Sequence, residues 1–220
     1  MKYIISTLGC KVNQYETQAM ETMLLEHGHE PAAPGEIADA VIVNTCAVTA
    51  ESGRKSRQTI RRLRDENPGA VIAVCGCYSQ VSPESVSAID GVAYVCGTQN
   101  KLRTVERALE LLDGKAIPKI EVAPLAGADF ESMRILHAPR TRAYIKIEDG
   151  CDNRCAYCKI PDARGHVRSK KIADVVAGSV PVDRRRHHHL AAGGIVAVAG
   201  LRKDVIPLNQ LRRLDQADAR

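Results

Sequence analysis

Four short apolar runs, separated by longer stretches with helical spacing, constrain this chain more than any other feature. Lys2–Leu8, Ala40–Asn44, Ala70–Val74 and Val92–Val95 are each too short for a globular helix and are bounded by Gly, Asn or Pro, the pattern of buried strands. Between them, Gln14–His27 sets Ala19, Met20, Met23 and Leu24 on one face and stops at Gly28. Glu51–Asp65 stops at Asn67-Pro68-Gly69, Pro83 opens a short helix, and Lys101–Leu112 ends at Gly114. Strand and helix in alternation require crossover connections, so residues 1–113 predict a small α/β domain with a doubly wound parallel sheet. One Phe, six Tyr and no Trp in 220 residues make its core mostly aliphatic.

Beyond residue 113 the pattern changes. Residues 114–142 contain three prolines and no sustained period, which reads as a linker with a short strand at Ile117–Val122. A second α/β unit begins with a strand at Ala143–Ile147 and continues to a helix at Lys171–Ala177. Residues 178–220 then form a basic tail with 8 Lys and Arg against 4 Asp, and without Cys, Glu or aromatic residues, whereas residues 1–177 carry 23 basic against 22 acidic side chains. The net charge of +5 therefore describes a nearly neutral body with a basic end. Arg184-Arg185-Arg186-His187-His188-His189 is its low-complexity patch.

No apolar run approaches the ~18–20 residues of a membrane span, which predicts a cytoplasmic protein with no membrane partner. Tyr3–Leu8 before Gly9-Cys10 imitates a lipoprotein signal but is shorter than the ~7–15 residues of a signal core. In a reducing cytosol, eight cysteines favour metal or redox roles over structural disulfides.

The sharpest of these is Cys151-Asp152-Asn153-Arg154-Cys155-Ala156-Tyr157-Cys158, a C-x3-C-x2-C spacing just after a predicted strand. Three thiolates on one tight loop can each bind one iron of a cubane 4Fe-4S cluster and leave the fourth iron open for a small ligand. Zinc is the competing occupant, but it normally takes four ligands, and the nearest spare donor is His166. A second constellation is dispersed. Cys10, Cys46 and Cys77 follow the first three predicted strands, and loops at the carboxyl ends of strands in an open parallel sheet share one edge, where ligands collect. The three together predict a second cluster. Cys75 and Cys96 fit buried, inert thiols better, with Cys75 an alternate ligand if the chain turns at Gly76.

The C-x3-C-x2-C loop, with an aromatic before its last Cys, resembles the signature of radical S-adenosylmethionine enzymes. Leu8-Gly9-Cys10-Lys11-Val12-Asn13-Gln14-Tyr15-Glu16-Thr17, Val43-Asn44-Thr45-Cys46-Ala47-Val48-Thr49 and Gly76-Cys77-Tyr78-Ser79-Gln80 resemble the three cysteine motifs of the methylthiotransferase N-terminal domain. Arg140–Ile147 leading into Cys151, and Ala163–Ser169 after it, resemble that family's radical domain, the first fragment of a (β/α) barrel.

This resemblance implies two 4Fe-4S clusters, an auxiliary one on Cys10, Cys46 and Cys77 and a radical one on Cys151, Cys155 and Cys158 that chelates S-adenosylmethionine, with Tyr157 close to that cofactor. It implies tRNA as substrate and an electron donor such as a flavodoxin or ferredoxin. Gly9-Cys10-Lys11-Val12-Asn13-Gln14 points to the branch acting on N6-threonylcarbamoyladenosine beside the anticodon, with a methylthio group placed on carbon 2 of the adenine. The isopentenyladenosine and ribosomal-protein branches are the alternatives within the family, and a non-catalytic iron-sulfur or tRNA-binding module is the alternative outside it.

Two departures accompany the match. Lys159-Ile160-Pro161-Asp162 follows Cys158 where the family has an apolar residue and commonly a Tyr. Past residue 177 the family pattern is not visible, which predicts a frameshifted or truncated gene. Arg54, Arg57, Arg61 and Arg64 recur at helical spacing as a basic stripe able to track tRNA phosphates, or to serve as a solvated face partly neutralised by Glu51, Asp65 and Glu66.

Overall fold

The computed structural model describes residues 1–135, 144–175 and 196–198. In chain order the first unit comprises β1 (Lys2–Thr7), α1 (Lys11–Glu26), β2 (Glu30–Pro31), β3 (Ala40–Thr45), α2 (Ala50–Glu66), β4 (Val71–Gly76), α3 (Cys77–Val81), α4 (Pro83–Ser87), β5 (Val92–Cys96), α5 (Leu102–Leu112) and β6 (Ile120–Glu121). Every pairing in its sheet is parallel, and the strand order is β2-β1-β3-β4-β5-β6. The expected doubly wound α/β architecture is therefore what forms.

Alternation along the strands sorts side chains onto two faces. Val41, Val43, Ile72 and Val74 pack with Ile60 and Leu63 of α2, while Ile42, Ala73 and Tyr3 pack on the other face with Met20 and Leu24 of α1 and Val105 of α5. Burying each such Val, Leu or Ile contributes ~1.5–3 kcal/mol. These two aliphatic layers carry the first unit. They also fix which way each strand-end loop leaves the sheet.

From the central pair β1 and β3 the chain winds outward in opposite directions, so the topological switch point lies between them. In such sheets the crevice at the carboxyl ends of the switch strands is the natural ligand site. The loops leaving β1, β3 and β4 there carry Cys10, Cys46 and Cys77.

The second unit contains β7 (Tyr144–Lys146), β8 (Glu148–Asp149), α6 (Ile160–Arg164), β9 (Arg168–Ser169), a helical turn at 172–175 and β10 (Val196–Val198). β7 and β10 pair in parallel, as the opening of a (β/α) barrel requires. β8 and β9 form a short antiparallel clamp. The linker, described to residue 135, lies against the first unit, where the Tyr15 hydroxyl donates to the Met133 carbonyl at 2.9 Å. The Arg140–Ala143 part of the family motif, the end of the helix at 176–177, the Arg-His patch and all of the basic tail except 196–198 lie outside the described residues. No helix among the described residues is long and apolar enough to cross a membrane.

Candidate metal centres

Cys10 is the residue before α1, exposed at the end of β1. Gly9 precedes it at φ +103°, and a Cβ there would lie 2.7 Å from the Cys46 sulfur, so only glycine lets these two loops touch. Cys46 leaves β3 and is 5% exposed. Burial pushes its thiol up; the Val48 backbone N–H opposes this, and the neighbouring Cys77 and Cys10 add to it. Cys77 is the first residue of α3 and is buried. It too follows a glycine with no alternative: Gly76 has φ +107°, and a Cβ would lie 2.4 Å from the Thr45 carbonyl oxygen. All three are free thiols.

Cys75 is not part of this edge. Its side chain points to the opposite face of the sheet, fully buried in the core layer with Cys96, Met20 and Tyr94. Burial pushes its thiol up to about 12. The turn at Gly76 carries Cys77, not Cys75, toward Cys46, so the alternate-ligand expectation for Cys75 is corrected.

Cys151, Cys155 and Cys158 lie on one short loop of the second unit, Cys155 exposed and the other two partly covered. The β8–β9 clamp closes the base of this loop. Cys151 N–H donates to the Gly165 carbonyl at 3.0 Å, and Cys158 N–H to the Cys155 carbonyl at 3.0 Å. Gly150 at φ +83° precedes Cys151, and a Cβ there would strike the His166 carbonyl oxygen at 2.0 Å. His166, the spare donor of the zinc reading, is engaged by Asp152 at 2.8 Å, whose carboxylate also accepts from Val167 N–H at 3.2 Å. Tyr157 is 88% exposed on the loop.

Among the described residues, no three Cys, His or carboxylate side chains stand at metal-coordinating separation, so the two triads share their loops without forming preset cages. The donor chemistry nonetheless suits an iron-sulfur cluster. Each triad offers three soft sulfur donors with no hard oxygen donor among them.

Between the triads lies a buried ionic network that the sequence pattern did not mark. Glu16 of α1 is fully buried. One of its carboxylate oxygens accepts from Lys146 and Arg164, each at 2.8 Å, and the other from Arg164 at 3.0 Å and from Lys101. Asp149 accepts from Lys146 at 2.6 Å and from Arg164 at 2.9 Å. Burial alone would raise the Glu16 carboxyl, but Arg164, Lys101 and Lys146 together hold it well below the usual range. Asp149 is lowered in the same way: burial raises it, and Arg164 and Lys146 prevail. Asn13 binds the network to the cysteine loops. Its amide donates to the carbonyls of Leu8 at 2.7 Å and Thr45 at 2.9 Å, and its oxygen accepts from Arg164 at 2.7 Å.

Asn44 completes the arrangement, accepting from Lys101 at 3.1 Å and donating to the Asn13 carbonyl at 3.0 Å. A second tie runs from the loop after β5. The Thr98 hydroxyl donates to the Ala163 carbonyl at 2.6 Å, and Gln80 holds the Thr98 N–H at 2.9 Å. Only the α1 end of the network left a trace in the sequence. Asn13, Glu16, Met20 and Leu24 recur at helical spacing, so two polar residues continue the apolar face.

The α2 stripe is largely spent within the molecule. Arg54 pairs with Glu51, and Arg64 with Asp65 and Asp90. Arg57 donates to the Tyr78 hydroxyl at 2.7 Å, beside Cys77, and Arg61 is exposed.

Residues 2–97 match the model of a family described as "Uncharacterized protein family UPF0004". The threonylcarbamoyladenosine tRNA methylthiotransferase MtaB of Bacillus subtilis (strain 168) is 36% identical over 222 residues, covering 97% of this chain and 48% of its own length. The chain belongs to the methylthiotransferase family. The ribosomal protein uS12 methylthiotransferase RimO of Chloroflexus aurantiacus is 33% identical over 210 residues, covering 89% of this chain and 44% of that protein. The chain thus spans about half the length of the curated relatives it matches. The Bacillus match also extends beyond residue 177 into the basic tail.

Among solved structures, the radical S-adenosylmethionine methyltransferase TsrM from Kitasatospora setae, with tryptophan substrate and aza-SAM bound, superposes with TM-score 0.56 at 16% identity. That match covers 84% of this chain and 46% of the other, and it speaks to the fold.

Proposed function

We propose that this chain carries the cluster-binding machinery of a tRNA methylthiotransferase that modifies N6-threonylcarbamoyladenosine at carbon 2 of its adenine. The observation that carries this reading is the arrival of Cys10, Cys46 and Cys77 on one sheet edge, against the unit that bears Cys151, Cys155 and Cys158. The branch rests on Gly9-Cys10-Lys11-Val12-Asn13-Gln14 and on the MtaB relative.

In this reading Cys10, Cys46 and Cys77 hold an auxiliary 4Fe-4S cluster, and Cys151, Cys155 and Cys158 hold a second one that binds S-adenosylmethionine. The bound groups supply the radical and sulfur chemistry, and the protein supplies position and shielding. Cys46 and Cys77 keep the first site half out of water. Gly9 and Gly76 let its loops approach. The β8–β9 clamp sets the mouth of the second loop, and exposed Tyr157 presents its ring to a ligand seated there. Arg61 of α2 is exposed and free to meet a tRNA phosphate, while Arg57 is held by the Tyr78 hydroxyl beside Cys77. Electrons come from a small carrier protein such as a flavodoxin or ferredoxin, and a tRNA substrate implies the cytoplasm.

Anaerobic reconstitution tests this directly. The reading expects two clusters, about eight irons per chain, with one electron paramagnetic resonance signal perturbed by S-adenosylmethionine. Cys10, Cys46 and Cys77 replaced together by Ala should remove half of the iron and leave the perturbed signal. Four irons or fewer without perturbation would instead mark a non-catalytic iron-sulfur module, and a colourless zinc-loaded chain would overturn both.

A further inference from the structure

Arg164 stands where the two cysteine sites meet. It is the last residue of α6, close after the Cys151–Cys158 loop, yet its side chain is 4% exposed and lies inside the first unit. Its guanidinium donates to both oxygens of Glu16, to Asp149 and to Asn13. Through Asn13 it is one residue removed from the Leu8 and Thr45 carbonyls, which open the Gly9-Cys10 turn and precede Cys46. Helix α6 itself packs against α3, whose first residue is Cys77. A single planar fork therefore reaches toward all three strand-end loops.

The charges of the network do not balance. Lys101, Lys146, Arg164 and Arg168 converge on only two carboxylates, Glu16 and Asp149. Glu131 lies nearby, its carboxyl pushed up by burial, but even with it four cations face at most three carboxylates. Buried charge without a counterpart is costly. The adjoining edge offers one: three thiolates around a cluster core make an anionic group, and Arg164 and Lys101 both lie within electrostatic reach of Cys77.

We infer that Arg164 is a positioning residue that docks the Cys151–Cys158 loop onto the Cys10, Cys46 and Cys77 edge and supplies the positive charge that holds an anionic cluster there. The inference rests on the proposed cluster assignment. A cation beside a cluster favours its reduced, more negative state, so its removal lowers the reduction potential.

The test is a redox titration of the full reconstituted chain, following the signal that S-adenosylmethionine does not perturb. Arg164→Gln should lower its potential by a tenfold or larger change in the reduction equilibrium, 59 mV for one electron. Arg164→Lys, which keeps the charge, should stay near the wild-type value. Equal potentials in wild type and Arg164→Gln, or an equal fall in both variants, would overturn the inference. If Arg164→Gln fails to retain the unperturbed cluster, Arg164→Lys decides: retention at the wild-type potential supports the inference, and equal loss defeats it. Failure of the cluster assignment itself would already show in the wild-type iron count and in the triple Cys→Ala chain.

Discussion

The two cysteine triads reach comparable donor sets by opposite routes. Cys151, Cys155 and Cys158 are neighbours in sequence, and a short clamp with one loop is enough to gather them. Cys10, Cys46 and Cys77 are neighbours only because three parallel strands end at one edge, with glycines at Gly9 and Gly76 to let the loops close up. A local site tolerates damage elsewhere. A dispersed one inherits every fault of the fold beneath it, and here it also leans on the seam that joins it to the local site.

The widest break in that comparison should come from Glu16→Ala. It leaves Lys101, Lys146 and Arg164 buried without their shared partner, and loss of one member of a buried ion network costs ~3–5 kcal/mol. Urea denaturation should record this as a lower midpoint for the first unit, with loss of protection at residues 144–175 as well. A midpoint within error of wild type would show that the seam stabilises nothing.

Gly76→Ala follows in size. The left-handed backbone alone costs ~1–3 kcal/mol, before the clash with Thr45 is counted. Gly150→Ala makes a still closer contact, with the His166 carbonyl oxygen, but within the local loop, so thermal melting of the first unit should be unchanged while iron binding by the second loop falls. Equal melting losses from both would erase the distinction between a dispersed and a local site.

Acid offers a milder probe. The carboxyls of Glu16 and Asp149 are lowered in the folded chain, so their contribution is complete above the ordinary carboxylate range and is lost as pH falls through the lowered values. Hydrogen exchange at about pH 6 and about pH 3 should show residues 144–175 opening before the sheet does. Simultaneous opening would argue against a separable seam. Smallest of all, Arg61→Glu should leave both triads intact and, on the proposed function, weaken tRNA binding, reducing its salt dependence by roughly one unit of slope.

Much of the fold was legible because β3, β4 and β5 are buried almost throughout and therefore read as apolar runs rich in Val and Ile. β2 was not, since Glu30 and Pro31 are exposed and carry no apolar signal. α3 is only five residues long and starts at the strand end itself, where a helix has no room to show a period. Cys10, Cys46 and Cys77 could be placed from strand ends alone. Glu16 left a partial signal by continuing the apolar face of α1, but Lys101 and Arg164 left none, because a charged residue is ordinarily solvated and only tertiary packing brings these two to Glu16.

The position of Asn13 also bears on the order in which the molecule can be made. Asn13, Glu16, Asn44 and Lys101 all belong to the first unit, and β1, α1, β3 and the turn before α5 must be in place before they form a receptor for Arg164. Lys146, Asp149 and Arg164 leave the ribosome afterwards. The emerging chain thus completes its socket before it produces the plug, and the second cysteine loop is delivered to a finished surface.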